Sequence, residues 1–167
     1  MGANATLEIL HNMVWDFRGQ YSHKFATPDV RTSANFAMCE AGEALDAWIR
    51  LNTGDAYNRA SARDRRIDEE LMQCAMMIIT ALEVDFKYEV RPILQPLTGD
   101  QEIIEKVFHE LGMLPLLAEK EFFLRELAEQ YAINALAYIL VVVEDPVEVM
   151  QRVLHTIYKK RVAPEVH

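Results

Sequence analysis

Cysteine is nearly missing: 167 residues contain only Cys39 and Cys74, with no CxxC pattern. That excludes a disulfide framework and a cysteine zinc site. Both lie among apolar helical positions and read as free, buried thiols of a reducing compartment, so a cytoplasmic location is expected. The five histidines are scattered without zinc-ligand spacing. Basic charge is also scarce. Seventeen Lys and Arg face 26 Asp and Glu, leaving a net charge of −9. A nucleic-acid polymer needs a basic footprint and is excluded as a general partner. A single nucleotide is not, because its phosphates can arrive with a cation. Long apolar runs are absent too. "INALAYILVVV" is too short to span a bilayer, so no membrane partner is expected. The start "MGANATLEIL" lacks the basic region and apolar run of a signal peptide. Its Gly2 and Thr6 fit the N-myristoylation pattern, which is short and common.

What remains is helical. Hydrophobic residues make up 51% of the chain, enough for one sizeable core over residues 1–167. Apolar spacing predicts an all-α bundle of five to six helices. The first spans about 5–19. The second starts on Thr27 and Pro28 as cap and first-turn proline, with a break possible near Ser33, and ends around "LNTGD". The third spans about 65–86, the fourth about 101–111, the fifth about 119–143. The last, 146–161, opens on Asp145, Pro146 and Glu148 as cap, first-turn proline and capping-box glutamate. "RPILQPLTGD" reads as a proline-marked hinge between the two halves. The fifth helix is apolar enough to suggest a subunit interface, giving a homodimer or homotetramer through it or the third helix.

The informative residues are acids in the wrong place. In "ANFAMCEAGEALDAWIRL", Phe36, Ala44, Ala47 and Leu51 fall within about 40° of Glu40 on the helical wheel. Glu40 therefore lies inside the apolar stripe and Glu43 on its edge. In "RRIDEELMQCAMMIITALEV", Glu70 lies in the stripe near Met77 and Ala81, and Gln73 takes the edge position. If these helices run antiparallel, Glu40, Glu43, Glu70 and Gln73 can converge. Buried, unpaired carboxylates must share a proton or find a cation. Mg²⁺ or Mn²⁺ would convert the repulsion into a site for phosphate oxygens. Glu69, about 40° from Gln73, is a further candidate ligand. Lys24, Arg59, Arg63, Arg65 and Arg66 are placed to meet phosphates. Trp15 is either a core aromatic or a base-stacking residue. Met72, Met76 and Met77 read as packing residues. A third pair, Glu126 and Glu129, repeats the wheel of Glu70 and Gln73. A solvated helix edge remains the ordinary reading of any one such pair alone.

"EAGEALDAW" followed by "DEELMQCAMMIITAL" resembles the all-α nucleoside triphosphate pyrophosphohydrolases, the MazG-like proteins and dimeric dUTPases. Their motif is Glu-x-x-Glu, a gap, then Glu-x-x-Asp. Glu40, Glu43 and Glu70 match; Gln73 stands where the family has aspartate. Upstream, "TPDVRTSANFAM" and the Trp15 helix also look similar. The resemblance covers about residues 7–86. It implies a four-helix core that uses Mg²⁺ or Mn²⁺ to cleave a (deoxy)nucleoside triphosphate into a monophosphate and pyrophosphate, a nucleotide-pool housecleaning activity. It implies Glu40, Glu43 and Glu70 as metal ligands and Glu43 as the residue positioning the attacking water. The alternative is a non-catalytic or weakly active helical oligomer of this fold that binds nucleotide or a protein partner, because Gln73 lowers the charge of the metal cage.

Overall fold

The computed structural model describes residues 3–52, 63–85, 91–117 and 122–163. Among them every regular element is helical: α1 (Ala3–Gln20), α2 (Val30–Asn52), α3 (Arg63–Asp85), α4 (Asp100–Leu117), α5 (Phe122–Val142) and α6 (Pro146–Ile157). A short 3-10 turn, Ser22–Lys24, follows α1, and wider π turns, Tyr158–Val162, follow α6. The all-α expectation holds.

Small residues determine the closest packing. The buried face of α2 is Ser33, Ala34, Ala37, Ala41, Ala44 and Ala47. Side chains this short let α3 approach closely, and α2 with α3 is the most extensive helix pair. The two run antiparallel. Val30 packs on Ala81, while ten residues later Glu40 meets Glu70. On the other flank of α2, Gly42 admits α4: a Cβ there would sit 3.4 Å from the Phe108 ring. Trp48 Nε1 donates to Gln101 Oε1 at 3.2 Å between the same two helices. The inward face of α1 is Leu7, Leu10 and Val14, which packs among α3, α5 and α6.

Several local expectations change. Helix α2 is unbroken at Ser33, and its cap is Asp29 rather than Thr27. Asp29 Oδ1 accepts from the Thr32 N–H at 2.8 Å, and that bond holds the carboxyl below its ordinary pKa. Asp145 occupies the N-cap of α6 without a side-chain bond, and Glu148 turns to Arg152 at 3.2 Å instead of closing a capping box. Helix α4 continues past Gly112 and Pro115 to Leu117. An interior proline costs about 3 kcal/mol, and burial of Leu111 and Leu114 in the core holds these last turns in place.

Segment 91–99 is extended and strapped to α5. The Ile93 N–H donates to Asn134 Oδ1 and the Gln95 N–H to the Tyr138 hydroxyl, each at 2.8 Å. Gln130 Nε2 donates to the Arg91 carbonyl at 2.8 Å. The expected hinge is thus a fastened connection. Much of the apolar surface of α5 packs within the chain, where Ala128, Ala132, Ile133, Ala135, Leu136, Tyr138 and Ile139 are buried, while Leu127 and Val141 remain exposed. No helix among the described residues is long and apolar enough to cross a membrane.

Candidate metal centre

Antiparallel packing of α2 and α3 brings Glu40, Glu43 and Glu70 together. One carboxylate oxygen from each lies within 4.8 Å of the others. The placement follows from the wheel. Glu40 and Glu70 are half-buried where the apolar stripes meet, and Glu43 is exposed one turn along. Burial, the first cause, pushes Glu70 up to about 8, helped by hydrogen bonding to Glu40 and by the charges of Glu43 and Glu40. Burial likewise raises Glu40, with repulsion from Glu43 adding to it, while the proton offered by Glu70 opposes the shift. Glu70 thus keeps a proton and donates it to its neighbour. Its Oε2 is buried with no hydrogen-bond partner. Beneath the cluster the Cys74 thiol is fully buried, and desolvation together with the Glu40 charge raises its pKa. Cys39, expected to be buried, is exposed.

Three carboxylates sharing one proton around an orphaned buried oxygen form a donor set for a hard cation. Mg²⁺ takes oxygens at about 2.1 Å and Ca²⁺ at about 2.3–2.6 Å, so oxygens that all lie within 4.8 Å of one another can close on a single ion. A divalent ion would replace the shared proton and give Glu70 Oε2 its missing partner.

The other candidate residues divide. Gln73 is half-buried one turn beyond Glu70. Glu69 turns away, to Arg152 of α6 at 3.6 Å, so the fourth-carboxylate role expected for it is not adopted. Nothing in the sequence paired Arg152 with α3. Arg66 is exposed one turn before Glu70. Arg59 lies outside the described residues, as do the side chains of Arg63 and Arg65. Of the third pair, Glu126 is exposed and Glu129 buried, the reverse of their expected places, and neither joins the cluster.

Trp15 is not a core residue. It is 51% exposed and stacks on His11 at 5.9 Å. With Arg18, Phe25 and Pro28 it lines an open cavity of about 310 Å³. There the Arg18 guanidinium lies over the Phe25 ring, 5.2 Å from its centroid. Lys24 is exposed in the adjoining turn. This cavity adjoins the start of α2. Ten helical residues separate Val30 from Glu40, a rise of about 15 Å. The structure therefore does not bring Trp15 and Lys24 to the acidic cluster. Phe36, expected in the apolar stripe, is 55% exposed on the cluster's flank.

Comparison with models of known protein families, with curated proteins and with solved structures gives no match.

Proposed function

We propose that the groove between α2 and α3 binds a divalent cation, Mg²⁺ or Mn²⁺, and hydrolyses a (deoxy)nucleoside triphosphate to a monophosphate and pyrophosphate. The observation that carries this reading is the convergence of Glu40, Glu43 and Glu70, half-buried or beside one another where the apolar stripes of α2 and α3 meet. The motif resemblance supplies the reaction class. Held by these three residues, the cation would neutralise phosphate charge and lower the pKa of an attacking water. Glu43 is exposed and ionisable at the mouth of the cluster, and accepts the proton as the water oxygen attacks the α-phosphorus. The bond from that phosphorus to the bridging oxygen breaks, and pyrophosphate leaves. Arg66, exposed one turn before Glu70, offers a guanidinium for the leaving phosphates.

A second reading keeps the fold and the binding but not the turnover. Gln73 brings an oxygen without charge, and Arg152 holds Glu69, so the cage has three carboxylates. Phosphate release with coupled pyrophosphatase, across a nucleotide panel with and without Mg²⁺ or Mn²⁺, separates the two. Metal-dependent release of pyrophosphate supports the enzyme. Nucleotide binding without release supports the second reading.

A further inference from the structure

The acidic groove has two unlike ends. Because α2 and α3 are antiparallel, moving one turn back from Glu40 and one turn forward from Glu70 leads to the same end. Phe36 and Gln73 stand there. The opposite end begins with Arg66, one turn before Glu70. Each step is four residues or fewer, a displacement of about 6 Å at most. Phe36 is within about 40° of Glu40 and about 20° of Glu43 on the helical wheel, so all three belong to one face. The core face of α2 is made by its alanines, and Phe36 is 55% exposed. Its ring adds little to the core at this position.

We propose that Phe36 is the platform on which the nucleobase stacks. The proposal rests on the reading of Glu40, Glu43 and Glu70 as the centre that holds the α-phosphate. From that phosphate, one sugar carries the base one turn along α2 to Phe36, and the β- and γ-phosphates extend the other way, towards Arg66. This order gives the substrate a single direction. It assigns recognition of the base to α2 rather than to Trp15 of α1, whose cavity lies beyond the start of α2, about 9 Å from Phe36 along that helix.

The test uses the full chain with Mn²⁺ and two ligands: a non-hydrolysable α,β-imido deoxynucleoside triphosphate, and inorganic tripolyphosphate, which has no base. Base–aromatic stacking is worth about 1–3 kcal/mol, so Phe36→Ala should weaken the nucleotide at least about fivefold. It should leave Mn²⁺ and tripolyphosphate affinities unchanged, and Phe36→Tyr should restore the nucleotide. Equal nucleotide affinity in Phe36→Ala overturns the platform and leaves the metal centre standing, as does equal weakening of both ligands. A change of oligomeric state by light scattering, without loss of nucleotide affinity, makes Phe36 a subunit contact and also overturns it. Failure of the wild type to bind Mn²⁺ and tripolyphosphate removes the parent reading and this proposal together.

Discussion

The chain contains two helical hairpins, and both bury acids, with opposite results. In α4 and α5, Glu110 is 4% exposed. Its Oε1 faces Lys106 Nζ at 3.5 Å, so a charge from its own helix answers it, although Oε2 has no hydrogen bond. On α5, Glu129 is a second buried acid, and Gln130, Asn134 and Tyr138 hold the strap. In α2 and α3, Glu40, Glu43 and Glu70 meet one another, and burial together with their mutual repulsion raises Glu70 to about 8. Burial of a carboxylate is common to both hairpins. Among the described residues, an acid answered by a lysine distinguishes α4 from the acids of α2 and α3, which meet one another.

The largest effect that can break this contrast is on turnover. Glu40→Gln and Glu70→Gln should each reduce pyrophosphate release at least about 100-fold, while Glu110→Gln should leave it within a factor of about two. Comparable loss in all three, by coupled phosphate release, would erase the distinction. Gln73→Asp returns a fourth negative charge beside the cluster. It should tighten Mn²⁺ and raise or create activity, by about tenfold or more for one added carboxylate ligand.

Stability should separate the hairpins by sign. Glu70 is raised from 4.5 to about 8, so the folded state keeps a proton that the unfolded state has lost. Without metal, stability should therefore be highest below the ordinary carboxylate range and fall as pH rises towards 8. Glu70→Gln should raise the metal-free melting temperature at pH 7 to 8, with the gain vanishing near pH 4. Glu110→Gln, which strips Lys106 of its partner, should lower it. A melting series over pH checks both, and a destabilised Glu70→Gln at pH 8 would contradict the account. Metal binding near pH 7 should release protons, seen as a dependence of the calorimetric heat on buffer ionisation.

The strap offers a smaller effect. Tyr138→Phe removes the acceptor for the Gln95 N–H and should cost about 1 kcal/mol. Asn134→Ala strands the Ile93 N–H and should cost about 1–3 kcal/mol. Urea unfolding measures both, and neither should change Mn²⁺ affinity. The smallest change concerns Gly42. Its Cβ position is in ordinary contact with Phe108, so Gly42→Ala should gain about 0.5–1 kcal/mol from helix propensity. A loss would show that the approach of α4 to α2 depends on the missing methyl.

Much of this was legible in periodicity. The order of the helices and the meeting of Glu40, Glu43 and Glu70 follow from apolar spacing, because a carboxylate at a stripe position is placed by the stripe. What periodicity misses is which neighbour arrives. Glu69 and Gln73 are close on the wheel, yet Arg152, eighty-odd residues away in sequence, takes Glu69. Phe36 shares the wheel angle of Ala47 to within about 20°, yet Ala47 is buried and Phe36 is exposed, so angle alone does not decide burial. Apolar content of α5 cannot distinguish burial within the chain from burial between chains. Caps depend on a single side-chain bond, so Asp29 could displace Thr27 without any change in pattern.

The most direct measurement of the central claim is a calorimetric Mn²⁺ titration of the full chain at pH 7, beside Glu70→Gln and Glu110→Gln. The account predicts one saturable site in the wild type, its affinity kept in Glu110→Gln and reduced at least about tenfold in Glu70→Gln, where a charged ligand of a hard cation is lost. No saturable binding in the wild type, or equal affinity in Glu70→Gln, would contradict it.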